Sequence, residues 1–109
     1  MTTFEDRQRA FETKFAHDEE LRFRVIARRN RLLGQWAARL MGLSDAEADA
    51  YAKDVIRSDF EEAGDDDVIR KVLGDLIGAG VETDEAQIRE AIAHKEAEAR
   101  RQIMEQINL

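Results

Sequence analysis

"DEELRFRVIARRNRLLGQWAARLMGLSDAE" (residues 18–47) decides the fold. Its apolar residues return at intervals of three and four, so a helix is predicted over 18–41. Asp18, Glu19 and Glu20 open it at the positive end of the helix dipole, and the arginines follow. Gly42 is placed to stop it. Ser44 then starts a second helix, because "SDAE" has the form of a capping box with Glu47 at the third position. A helix, a turn at about 43–44 and another helix make an antiparallel pair.

Working outward, the second helix is predicted over 45–63, ending at Gly64. A third covers 66–79 with Gly80 as its stop, and a fourth runs over 84–107, capped by Thr83 or Asp84. No alternating apolar run is long enough for a strand. The expectation is an all-α chain: an antiparallel four-helix bundle over 18–109, preceded by an arm over 1–17. Composition agrees. There is no proline and there are few glycines, and 109 residues suffice for one core. Without cysteine, disulfides and thiolate metal sites are excluded. No apolar run nears the ~18–20 residues of a membrane span, and the first residues lack signal-peptide character. A cytoplasmic protein with no membrane insertion is expected.

The net charge of −7 is unevenly spread. Residues 21–43 hold six arginines and no acid, whereas residues 44–69 hold ten acids against Lys53 and Arg57. Segments of opposite sign attract most simply as neighbouring helices. A basic face on so acidic a chain argues against nucleic acid as the partner.

At 100° per residue, Leu21, Val25, Leu32, Leu33, Trp36 and Leu40 fill one arc of the first helix, with Arg29 near its centre. On the second, Ala48, Ala52, Val55, Ile56, Phe60 and Ala63 fill an arc that includes Asp59. Both charges lie about fifteen residues from the turn, at similar height. An inter-helix ion pair between Arg29 and Asp59 is therefore expected, the alternative being that both side chains reach solvent.

Catalytic chemistry finds little to work with. His17 precedes three acids and His94 lies in a helical surface pattern, so both read as solvated. "DDD" at 65–67 reads as helix capping, since "GDDDVIR" lacks the alternating ligands of a cation loop. No phosphate loop, zinc motif or nucleophile motif is present. Arg22, Arg24, Arg28, Arg29 and Arg31 form a cluster in which Arg24, Arg28 and Arg31 recur at four and three as one stripe. Either the stripe faces the acidic second helix or water, or it docks an acidic protein surface or a nucleotide phosphate.

The arm, "TTFEDRQRAFETKF" (residues 2–15), carries Phe4, Phe11 and Phe15 on one side and little other apolar surface. Burying each ring yields ~1.5–3 kcal/mol, which does not offset ordering fifteen residues at ~1–2 kcal/mol each. Alone the arm is expected to be mobile. Its narrow aromatic stripe and helix-start signal at Thr3 and Asp6 suit folding on a partner's groove.

Three long segments, "FEDRQRAFETKFAHDEELRFRVIARRNRLLGQWAARLMG" (4–42), "ADAYAKDVIRSDFEEAGDDDVIRKV" (48–72) and "GDLIGAGV" (74–81), carry a resemblance. In them the chain resembles the zeta-subunit family of the alphaproteobacterial F-type ATP synthase, small inhibitors of ATP hydrolysis. The resemblance implies a four-helix fold with a mobile inhibitory N-terminus. Residues 2–19 would insert as a helix at an alpha/beta catalytic interface near the gamma rotor and block rotation. Phe4, Phe11 and Phe15 would be the apolar anchors, and Arg7, Arg9 and Lys14 the charged contacts. The protein would be non-catalytic, monomeric when free, and placed at the cytoplasmic face of the inner membrane when bound. The family also raises contact with adenine nucleotide: weak ATP or ADP binding through Arg22, Arg24, Arg28 and Arg31, with no cofactor required. The alternative function is a helical adaptor or sensor that binds a small anion through that arginine-rich helix.

Overall fold

The computed structural model describes residues 19–59 and 65–107. Four helices follow in order: α1 (Glu19–Leu40), α2 (Asp45–Ser58), α3 (Asp66–Gly78) and α4 (Glu85–Ile107). The all-α antiparallel arrangement is as expected. The arm over 1–17 lies outside the described residues, as do Phe60 and Ala63. Helix α2 ends at Ser58, short of the expected 63, and Asp59 forms its C-cap.

The turns follow local chemistry. Gly42 has φ +75°, its N–H donates to the Arg39 carbonyl (3.1 Å), and Leu43 N–H donates to Ala38 (3.0 Å). Gly80 repeats this with φ +84°, bonding Ile77 at 3.0 Å while Val81 N–H reaches Leu76 at 2.9 Å. Each is a Schellman stop in which a residue without Cβ takes the left-handed position. The capping box is present in both directions: Glu47 N–H donates to Ser44 Oγ (3.3 Å) and Ser44 N–H to Glu47 Oε1 (3.1 Å). These bonds hold the Glu47 carboxyl below its ordinary pKa. At α4 the cap is Asp84, whose Oδ1 accepts from Gln87 N–H at 2.9 Å. The "DDD" run departs from expectation, since the Asp65 side chain makes no capping bond at α3.

Helix α1 is the spine. It packs most extensively on α2 and α4, which do not touch each other, while α3 lies across all three. The main core joins Leu33 and Ala37 of α1 to Val55, Val68, Ile69, Val72, Leu76, Ile88 and Ile92. A smaller cluster joins Val25 to Ala99 and Ile103. Leu40, placed in the apolar arc, is instead 47% exposed near the end of α1. A second face of α1 is buried as well, through Asn30, Gly34 and Ala38. These residues recur every four positions, and their small size admits α2 at close range. A Cβ on Gly34 would stand 2.7 Å from Ala52 Cα. Tyr51 Oη donates to Asp75 Oδ2 at 2.8 Å, and Lys71 Nζ reaches the same oxygen at 3.2 Å, joining α2 to α3. Burial and the Asp75 carboxylate push the Tyr51 phenol far above its ordinary pKa.

Candidate interaction surface

Two polar features occupy α1. The first is internal and lies between the two apolar clusters, where Arg29 replaces an aliphatic residue on the arc running from Val25 to Leu33. Arg29 is 2% exposed and Asn30 1%. The guanidinium donates twice to Asn30 Oδ1, from Nε at 3.0 Å and from a terminal nitrogen at 2.9 Å. That terminal nitrogen also pairs with Asp65 Oδ1 at 3.0 Å, and the other stands 3.9 Å from Glu96 Oε1. The expected Arg29–Asp59 ion pair is therefore replaced by one with Asp65. The reason lies in the end of α2: Asp59 is a C-cap and not a further helical residue, and the chain entering α3 brings Asp65 to the guanidinium.

Asp59 still senses the cluster. Burial raises its carboxyl above the ordinary value, the Arg29 charge and the Asn30 amide oppose this, and Asp65 and Asp67 add to it. Asn30 Nδ2 itself makes no hydrogen bond of good geometry. The folded protein thus binds the Asp59 proton more tightly than the unfolded chain does. Its contribution to stability falls as pH rises above the unfolded value of about 4. Asp59→Asn should accordingly raise the urea midpoint at pH 7, and the advantage should fade as pH approaches 4. An equal shift at both pH values would show that the charge of Asp59 is not the cause.

The second feature is the outer stripe. Arg24 and Arg31 are exposed, and half-buried Arg28 donates to Gln102 Oε1 of α4 at 2.8 Å. Gln35 and exposed Arg39 continue the line at spacings of four. The stripe runs between α2 and α4, roughly a third of a turn round the helix from Arg29. Arg22 is exposed but projects from the other side of the helix, so the fold does not bring it together with Arg24, Arg28 and Arg31. Among the described residues, Arg22, Arg24, Arg28, Arg31 and Arg39 form no ion pair. Every base on α2 and α3 does: Lys53 with Asp49, Arg57 with Asp54, Arg70 with Asp67 and Lys71 with Asp75. Helix α2 does not cover the arginine stripe: Arg24, Arg31 and Arg39 are exposed and face water, one of the arrangements expected for it. Arg39 was legible in the sequence as the next basic residue of the same period.

His94 is exposed beside Glu90, at 3.9 Å. A shallow groove of about 790 Å³ borders it, with Trp36, Lys95, Glu98 and Arg101 among its walls. Among the described residues no cluster of three or more His, Cys, Asp or Glu could hold a metal ion, and no helix is long and apolar enough to cross a membrane. Phe4, Arg7, Arg9, Phe11, Lys14, Phe15 and His17 lie outside the described residues.

Comparison with known proteins gives three findings. A protein-family model described as "ATPase inhibitor subunit zeta" matches residues 1–102. A protein solved by solution NMR is similar at 46% identity and a TM-score of 0.70, covering 79% of this chain and 98% of its own. No curated protein matches.

Proposed function

The chain belongs to the ATPase inhibitor subunit zeta family, and from that premise we propose that it inhibits ATP hydrolysis by an F-type ATP synthase through its N-terminal arm. Residues 2–19 insert as a helix at an alpha/beta catalytic interface close to the gamma rotor and obstruct rotation in the hydrolytic direction. Phe4, Phe11 and Phe15 enter the apolar groove, and Arg7, Arg9 and Lys14 meet charged groups around it. Inhibition is steric, and the protein catalyses no step. The helical body holds the arm near its site and raises its effective concentration there.

The observation that carries this reading is the reach of the family match, which begins at residue 1 and so includes the whole arm. The arm's energetics agree, because three aromatic rings in so thin a segment are better accounted for by a partner's groove than by self-docking. The adaptor reading has less support: Arg22 projects away from the stripe, Arg28 is engaged by Gln102, and arginines strung along one helix do not converge on one small anion.

Replacing Phe4, Phe11 and Phe15 together with alanine, or deleting residues 1–16, tests the proposal. ATP hydrolysis by the purified synthase should no longer be inhibited, while the thermal melt of the four-helix body stays within a few degrees of the wild type. Retained inhibition by either variant would refute the assignment of the arm, and a collapsed melt would return the phenylalanines to the core.

A further inference from the structure

We infer that the basic ridge of α1, formed by Arg24, Arg28, Arg31 and Arg39, is a second docking surface that seats on an acidic protein surface of the ATPase head beside the site entered by the arm. The inference rests on the proposed function and adds a partner surface to it.

Three observations meet here. The first is charge segregation. The chain carries −7 overall, yet this ridge presents arginines that no carboxylate among the described residues neutralises, while every base of α2 and α3 is paired internally. Unpaired cations of one sign, on a protein of the opposite sign, give the molecule an electrostatic direction.

The second is shape. From Arg24 to Arg39 the ridge spans about 22 Å at 1.5 Å per residue, straight along one helix and open between α2 and α4. A line of that length fits an extended acidic surface better than a compact ligand. The third is position. Helix α1 begins at Glu19, so Arg24 stands within two turns of the point where the arm joins the body. A partner that has taken the arm into its groove therefore holds its neighbouring surface close to the ridge.

The physical consequence is orientation. An acidic partner surface is repelled by the acidic helices and attracted most by the ridge, where four arginines share one face, so encounters with the arm's root turned towards the groove are favoured. Such steering acts mainly on the association rate and weakens with salt. Arg28 is left out of the test because its bond to Gln102 also serves the α1–α4 packing.

The experiment uses the full chain with Arg24→Gln, Arg31→Gln and Arg39→Gln together. Binding to intact ATP synthase is followed as an association rate over a range of ionic strength, with hydrolysis inhibition as a second readout. At low salt the triple variant should associate about tenfold more slowly than wild type, its salt dependence should be flatter, and the two should converge at high salt. Dissociation should change little, and three lysines at the same positions should restore the rate. Unchanged association with an unchanged salt slope would overturn the ridge as a docking surface. Tight, salt-sensitive binding of a duplex oligonucleotide, lost in the triple variant, would overturn the protein surface as its partner. The two proposals fail separately. If wild-type protein does not inhibit the synthase the functional reading falls, whereas if it inhibits and the ridge variant does so at the same rate only the ridge falls.

Discussion

Replacing Gly34 with alanine should destabilise the protein, whereas the same change at Gly74 should stabilise it. Both glycines lie inside helices, and at both alanine gains roughly 0.5–1 kcal/mol of helix propensity over glycine. What separates them is space. At Gly74 an added Cβ meets nothing within 4 Å. At Gly34 it would meet Ala52 Cα at 2.7 Å, Ala52 Cβ at 3.2 Å and Val55 Cγ2 at 3.3 Å. The nearest of these is backbone, which cannot swing aside as the end of a flexible side chain can. Helix α2 would have to move off α1, and that contact carries Val55 into the core.

Overpacking of this kind costs about 1–3 kcal/mol, so alanine at 34 should lose about 1–2 kcal/mol net of its propensity gain. Leucine at 34 should lose ~3 kcal/mol or more, a large part of the stability of so small a domain. Urea midpoints at constant slope would measure all three variants. If alanine at 34 stabilises as much as alanine at 74, the close approach of α1 and α2 is wrong.

Gly34 also shows where sequence reading stops. The Gly42 and Gly80 turns and the Ser44–Glu47 capping box were legible because each is decided within six residues. The antiparallel layout followed from them. The face built from Asn30, Gly34 and Ala38 was not, because a search for large apolar residues passes over small ones. Their meaning lies in what approaches them, which is a property of α2 and not of α1. The ion pair failed for a related reason. The height argument put Asp59 near enough to Arg29 for the guanidinium to oppose the upward shift that burial imposes on the Asp59 carboxyl, but not near enough to pair with it. It assumed that α2 ran on to residue 63, and so it left out the return of Asp65. For the arm the sequence itself carries the argument, through three rings and no core to receive them.

Arg29→Met should cost about 2–4 kcal/mol, even though methionine suits the apolar arc on which it would sit. Breaking a buried pair by removing one partner costs ~3–5 kcal/mol when the remaining charge is also buried. Here the Asp65 side chain is 46% exposed and can be rehydrated, which lowers that part of the penalty. The remainder falls on Asn30. Its Oδ1 takes both of its hydrogen bonds from Arg29, and its Nδ2 has no well-formed bond already. Without the guanidinium, the amide is a buried polar group with neither end satisfied, worth about 1–3 kcal/mol of destabilisation.

The two residues should therefore be strongly non-additive. Asn30→Leu alone strips Arg29 of its internal acceptor and should destabilise. In the Arg29→Met background the same change removes an orphaned amide and should recover about 1 kcal/mol or more. Arg29→Lys should fall between wild type and Arg29→Met, since an ammonium can hold Asp65 but cannot fork onto Asn30 and reach Glu96 at once. A four-member cycle of urea midpoints decides the point: additive costs at 29 and 30 would mean that the guanidinium and the amide do not depend on each other.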